Sequence, residues 1–403
     1  MTTDAFALGT DRATRLQPGV VLAAVARVSA RRPSAPRRNW LLLVAIGPAL
    51  LSVDGCGSAG THEGAGLLPT LDDASAARRD AVSPDVRVPT LPSPTLAPMA
   101  LPSLAFGLFG DVRPANPNDT ASYPDGILSA VFAGLQAQGV ALAVDVGDHC
   151  FQSSTSSGSY CHDQFVHHFM VDRAANYAGI LLPTLGNHEA CGMDAATTGN
   201  CTSWSSGLIH DYLVDIVEPS TGQSASPYYS VVAYGPWGTA KFVHVAANAW
   251  TSAQHTWLTS TLNVPTTYTF VLRHEPSNDT RAPGVTPSES LFASHYASGT
   301  LTLSLAGHTH LVQLPGSTRP YGDGYGATRA YETIVGNAGA PLDAGPYYGY
   351  AVLARRSRDG AIVTQAYEAM SSDGVTSLGN APDPLFRFAV NANGSSNPDT
   401  ALP

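Results

Sequence analysis

The feature that most constrains this chain is a recurring pattern: an apolar run of strand length that ends at once in Asp, Asn or His. Leu104–Phe109 leads into Asp111, Val140–Val146 into Asp148, and Ile180–Leu185 into Asn187-His188. Phe242–Ala247 leads into Asn248, Tyr268–Leu272 into His274, and Leu301–Ala306 into His308. Each run is close to continuously apolar, the composition of a strand covered on both faces. In open α/β sheets, ligands bind beyond the carboxyl ends of the strands. Runs that all empty onto Asp, Asn and His therefore predict one shared site at one edge of a sheet.

Helices fit between the runs. Asp125–Gln138 places Ile127, Leu128, Val131, Phe132 and Leu135 on one face, and Gly139 stops it. Gln164–Tyr177 and Ser252–Leu262 read as two more. Tyr350–Leu353, a turn at Asp359-Gly360, and Ala361–Tyr367 read as a hairpin. Apolar residues make up 44% of the 403, enough for a sizeable core, and 38 Gly and 30 Pro predict long loops around it.

The chain divides into four parts. Residues 1–56 read as a targeting segment: Arg31, Arg32, Arg37 and Arg38 precede the apolar run Trp40–Leu51, which is short for a membrane span. Val53-Asp54-Gly55-Cys56 resembles a bacterial lipoprotein cleavage box, with Cys56 lipidated. A plain secretory signal and an uncleaved anchor are the alternatives. Residues 57–100 read as a Pro/Ala/Ser-rich linker, 101–370 as the folded domain, and 371–403 as a C-terminal tail without strong pattern. The chain is expected to be exported, to the outer membrane, cell surface or periplasm, anchored at Cys56 and monomeric. Beyond Cys56 there are four cysteines, an even set that suits disulfides in an exported protein. They allow three connectivities. Cys150–Cys161 and Cys191–Cys201 are favoured because each closes a short Ser/Thr/Gly-rich loop.

Charge excludes some partners. Charged residues are 13% of the chain, the formal net charge is −10, and Lys241 is the only lysine. A groove that tracks nucleic-acid phosphates needs clustered cations, so nucleic acid is excluded as a partner. No His-Glu-x-x-His helix and no Gly-x-Ser-x-Gly elbow is present, which excludes two other hydrolase designs.

What remains is a set of strand-end motifs: Gly110-Asp111, Gly147-Asp148, Gly186-Asn187-His188-Glu189, His274, and Gly307-His308-Thr309-His310. Their oxygen and nitrogen donors suit Mn, Fe or Zn. Over roughly residues 104–370 the set resembles the calcineurin-like metallophosphoesterase superfamily, which includes the purple acid phosphatases. Gln254 with Trp257-Leu258, and Gly336-Asn337-Ala338-Gly339-Ala340-Pro341, are similar to that family's secondary marks. The resemblance implies an α/β fold, a four-layer α-β-β-α sandwich of two mixed β-sheets with the metal site at the carboxyl ends of the strands. It implies a hydrolase of small phosphate mono- or diesters that acts by attack of a metal-bound hydroxide. Two metals are implied. Asp148 would bridge them, Asp111 and His310 would complete the first site, and Asn187, His274 and His308 the second. His188 would stabilise developing charge or protonate the leaving oxygen.

Two positions depart from the family pattern. Arg113 stands where a ligand His is usual, and guanidinium cannot ligate a cation. Phe151 stands where the purple acid phosphatases have a ligand Tyr. The first site is therefore expected to be weak or vacant, with Arg113 turned outward as a bidentate phosphate clamp. The alternative is a surface lipoprotein with a degenerate metal site that serves as a binding module. Glu189 either orients His188 or is a surface residue. His149 reads as a loop residue, with ligation as its alternative. His162, His167, His168, His210, His244, His255 and His295 lack ligand spacing.

Overall fold

The computed structural model describes residues 86–153, 158–192, 200–202, 207–223, 226–316, 329–343, 345–378 and 386–401. The targeting segment with Cys56, and the linker as far as residue 85, lie outside them. Strands in chain order are β1 (Met99–Ala100), β2 (Ala105–Phe109), β3 (Leu142–Asp145), β4 (Ile180–Pro183), β5 (Tyr229–Gly235), β6 (Gly238–Val245) and β7 (Tyr268–Arg273). Then come β8 (Leu303–Ala306), β9 (Val312–Gln313), β10 (Glu332–Val335), β11 (Tyr347–Arg355), β12 (Ile362–Ser371), β13 (Phe386–Val390) and β14 (Ser396–Asn397).

The six apolar runs are all strands, but they do not share a sheet. One seven-stranded sheet has the order β14-β13-β12-β11-β2-β3-β4, the other β1-β5-β6-β7-β8-β10-β9. Both are mixed: β2, β3 and β4 run parallel while β11 is antiparallel to β2, and β6, β7, β8 and β10 run parallel between antiparallel β5 and β9. The expectation of a single sheet edge is thus corrected. A continuously apolar run reports that both faces are covered, and carries no signal for which strand lies beside it.

Side-chain alternation fixes the layers. On β2, Phe106 points at the other sheet and meets Phe242 of β6 and Phe270 of β7, with ring centroids 5.0 and 4.9 Å away. Phe109 and Gly107 point the opposite way, onto Phe132 and Leu135 of the helix Asp125–Ala137. On β6, Phe242 faces inward, so Lys241 faces outward, and its Nζ donates to the carbonyls of Thr261, Leu262 and Val264 at the end of the helix Ser252–Leu262. On β7, Arg273 likewise faces outward and binds Ser288 and Glu289 of the helix Val285–Ala297. Helix, sheet, sheet, helix is the four-layer α-β-β-α sandwich.

The ends of the domain reach further than composition suggests. Leu91 and Leu96 are buried, Trp257 Nε1 donates to the Pro92 carbonyl, and β1 pairs with β5. The Pro-rich segment before it suits this place, because β1 is an edge strand. Past residue 371, β13 pairs with β12, and the buried Arg356 guanidinium donates to the carbonyls of Asp399 and Ala401. The expected loose tail therefore forms an edge of the sheet. The second helix also differs: it starts at Tyr160 and passes through a π-helical turn, Phe165–Phe169, to end at Asn176. Among the described residues no helix is long and apolar enough to cross a membrane.

Candidate metal centre

The strand-end loops bring the sequence-selected residues together in an uncommon backbone state. Asp111, Asp148, His308 and His310 have φ of 60°, 62°, 72° and 42°. Side chains with a Cβ rarely occupy this left-handed region, and such strain persists where the surroundings over-determine it. Among the described residues only Asn118 joins them. The glycines of two motifs have a packing reason. A Cβ on Gly147, at φ 101°, would lie 2.8 Å from the Gly186 nitrogen, and one on Gly186 would collide with Asp148. The loops after β3 and β4 thus touch backbone to backbone. Asp111 is locked in turn: its N–H donates to Gly147 O at 2.8 Å, its carbonyl accepts from Ala340 at 2.7 Å, and its carboxylate accepts the His308 N–H at 2.8 Å. The Gly-rich loop 336–341 therefore clamps the first motif.

Three imidazoles aim one ring nitrogen each into the cluster. His274 Nδ1 lies 2.7 Å from the Val146 carbonyl and His310 Nδ1 2.8 Å from the Pro341 carbonyl. A carbonyl can only accept, so both Nδ1 atoms carry a proton, and Nε2 is the nitrogen that each ring can offer to an ion. His308 is turned the other way. Its Nε2 lies 2.7 Å from Asp279 Oδ2, which leaves Nδ1 facing Asn187 Oδ1 at 2.9 Å and His274 Nε2 at 3.1 Å. Burial alone would raise the Asp279 pKa, but the hydrogen bonds from Arg281 and His308 hold it well below the usual carboxylate range, so it accepts the His308 proton.

Two triads could hold a metal ion: Asp148, His274 and His308, and Asp111, Asp148 and His310, with ligand atoms within 4.8 Å of one another in each. Asn187 Oδ1 adds to the first of these. Burial pushes Asp111 well above the usual carboxylate range, with Asp148 adding to the push. Asp148 is held well below it, because His188, His274 and Arg113 outweigh its burial. His274 is raised because Asp148 and Asp111 outweigh its burial. His310 falls to about 3 through burial and the neighbouring Arg113. Two carboxylates that cannot both ionise freely, faced by one ring nitrogen from each of three imidazoles, form a donor set that fits a cation in place of the protons they share.

Arg113 is not turned outward. Its Nε lies 3.5 Å from Asp148 Oδ2 and its Nη2 3.3 Å from His310 Nε2, while its guanidinium sits 4.4 Å over the Phe151 ring. The corrected picture has a physical cause: buried Asp148 and the ring face offer the cation more than water does. His188 Nε2 lies 3.6 Å from Asp148 Oδ2, with its ring edge-on to Phe151 at 4.4 Å. Burial and the positive neighbours lower its pKa to about 3, so the imidazole is neutral.

Glu189 takes neither expected role. It is fully buried and accepts the backbone N–H groups of Gly186, Asp148, His149 and Cys150, and so fastens the loop that carries Asp148. His149 points away from the cluster, with Nε2 2.6 Å from Asp145 and Nδ1 3.3 Å from Glu189. Both favoured disulfides are formed, Cys150–Cys161 beside Asp148 and Cys191–Cys201 at the end of the helix Asn187–Cys191. Asp279 and Arg281 were not visible in the sequence, because Asp in a Pro/Ser/Asn-rich loop is an ordinary turn residue.

No family model and no curated protein matches the sequence. Several solved structures are similar to the chain at low identity. GAP50, the anchor in the inner membrane complex of Plasmodium, is 13% identical with a TM-score of 0.44, the match covering 74% of this chain and 92% of that one. Purple acid phosphatase PPD1 from seeds of yellow lupin (Lupinus luteus) is 12% identical with a TM-score of 0.43, covering 74% and 57%. PhoD is 10% identical with a TM-score of 0.46, covering 78% and 74%. Likeness of this degree assigns no residue a role.

Proposed function

We propose that the chain is an exported metal-dependent phosphoesterase of the calcineurin-like metallophosphoesterase superfamily, acting on small phosphate mono- or diesters. One observation carries the reading: three imidazoles, two buried and one half-buried, each with one nitrogen tied to an acceptor outside the cluster, direct the other toward Asp111, Asp148 and Asn187. Second-partner hydrogen bonds of this kind fix the ring tautomer in metal sites. Asp148, Asn187, His274 and His308 would hold an ion. When bound, Mn, Fe or Zn supplies Lewis acidity for activating water and neutralising phosphate oxygens. Neutral His188 donates an N–H to charge developing on the phosphoryl group, which is the role its depressed pKa supports. Arg113 places a fixed positive charge at the floor of the site. The two disulfides support export. Lipid attachment at Cys56 rests on the sequence alone, and a Cys56→Ser chain that still partitions into detergent micelles would refute it.

The test is turnover of generic phosphomonoester and phosphodiester substrates by purified protein with added Mn, Fe or Zn. His308→Ala should abolish it. Absence of turnover with every metal, in folded metal-loaded protein, would overturn the enzyme reading. That result would favour the second reading, a surface binding module, for which the inward guanidinium speaks.

A further inference from the structure

We infer that the guanidinium of Arg113 takes the place of a cation in the Asp111–Asp148–His310 triad, so that the chain binds one metal ion, between Asp148, Asn187, His274 and His308. The inference deepens the proposed function and rests on it only in taking that second cluster as metal-binding.

An ion and a guanidinium compete for the same electron pairs. His310 donates through Nδ1 to Pro341, so Nε2 carries its ring lone pair, and Arg113 Nη2 lies 3.3 Å from it. Asp148 is the residue both triads share, and its two oxygens divide the work. Oδ1 faces His274 Nε2 at 3.3 Å, while Oδ2 faces Arg113 Nε at 3.5 Å. Asp148 therefore joins one ion site to one guanidinium. Arg113 is held in place from other sides too. The Phe151 ring lies under it, Nη1 donates to the Pro114 carbonyl, and its side chain is only 12% exposed. Positions 113 and 151 are the two that lack a ligand the resemblance implies, and here they stack on one another. Guanidinium stays protonated and has no lone pair to offer an ion.

The other cluster is open by the same measure. Arg281 meets His308 at Nε2, the nitrogen turned toward Asp279, and not at Nδ1, which faces Asn187 and His274. Its inward donors are Asp148 Oδ1, Asn187 Oδ1, His274 Nε2 and His308 Nδ1, a mixed oxygen and nitrogen set that suits Mn, Fe or Zn.

The experiment counts ions. The full chain is stripped with chelator, dialysed against Mn or Zn, and its bound metal measured by elemental analysis. One ion per chain is expected, and two bound with similar affinity would overturn the inference. His308→Ala should lose the ion and His310→Ala should keep it; the reverse places the ion in the wrong triad. Arg113→His should raise the count to two, and a folded variant that still binds one shows that the guanidinium is not what excludes the second ion. Should that variant not fold, the wild-type count and the two His variants decide. One bound ion without phosphoester turnover would remove the proposed function and leave this inference standing. Two ions with turnover would do the opposite.

Discussion

A carboxylate that accepts several backbone N–H groups is worth more to a site than its distance from the chemistry suggests. Glu189 collects Gly186, Asp148, His149 and Cys150. In Glu189→Gln an amide replaces it, with one acceptor oxygen and an NH2 that faces donors. Each buried N–H left unmet costs about 1–3 kcal/mol. We expect a lower thermal midpoint and a metal affinity reduced about 10–100-fold, the range for groups that position metal ligands. Isothermal titration and thermal melts read both, and unchanged affinity would show that the Asp148 loop holds its shape unaided. Asp279 acts on His308 in a similar way but from the far side of the ring. Asp279→Ala releases the Nε2 proton from its acceptor and frees the ring to turn, so metal affinity should again fall about 10–100-fold. Here the midpoint of metal-free protein should change little, because Asp279 fastens no backbone around Asp148. A fall in that midpoint matching the fall in affinity would make Asp279 a general stability residue instead. That the candidate ligands share one place was legible in the sequence, since Asp, Asn and His directly after apolar runs have few other reasons to recur. Glu189 and Asp279 were not, because what they touch is fixed by loop geometry and not by spacing.

At the scale of elements, the seam between the helices Asp125–Ala137 and Met170–Asn176 is polar, and one of its groups titrates in an accessible range. Asp172 accepts from the Ser129 hydroxyl at 2.8 Å, and Asp125 with His168 lies beside it. Burial pushes its pKa up to about 6, against the Ser129 hydrogen bond and with help from Asp125. A carboxyl raised in the folded state binds more protons folded than unfolded between about pH 4 and 6, so stability falls as pH rises through that window. Asp172→Asn should therefore raise the melting midpoint at pH 7 and lose that advantage below about pH 4. An advantage equal at both values would show that charge is not its source. The same seam was half legible. Helix Asp125–Ala137 declares itself by Ile127, Leu128, Val131, Phe132 and Leu135, all buried. Helix Val285–Ala297 does not, because its buried face includes Ser288 and Glu289, which are there to bind Arg273. A polar residue buried for a specific partner has no hydrophobic period to read. The short strands β1, β9 and β14 fail for a simpler reason: two residues cannot display an alternation.

For the whole molecule, the division of the six apolar strands between two sheets matters most. Asp111, Asp148 and Asn187 follow β2, β3 and β4 of one sheet, while His274 and His308 follow β7 and β8 of the other. The candidate metal cluster is therefore assembled only when the two sheets are packed face to face, and the unfolded chain has no comparable site. A ligand that binds only the folded state stabilises it by an amount set by its concentration over Kd, about 2.7 kcal/mol at a hundredfold excess. Chelation should accordingly lower the thermal midpoint, and readdition of Mn or Zn should restore it. Phe106 tests the coupling directly, because its ring is the link from β2 to Phe242 and Phe270 across the sheet interface. Phe106→Ala should cost about 3–5 kcal/mol and leave a cavity between the sheets. Leu258→Ala, in the outer helix Ser252–Leu262, removes a comparably buried apolar side chain that comes from neither sheet. If the site depends on how the sheets are registered, Phe106→Ala should weaken metal binding while Leu258→Ala leaves it near wild type. Equal affinities in the two folded variants would mean that the strand-end loops, held by Glu189, the Gly336–Pro341 segment and the disulfides, define the cluster without help from the core beneath it.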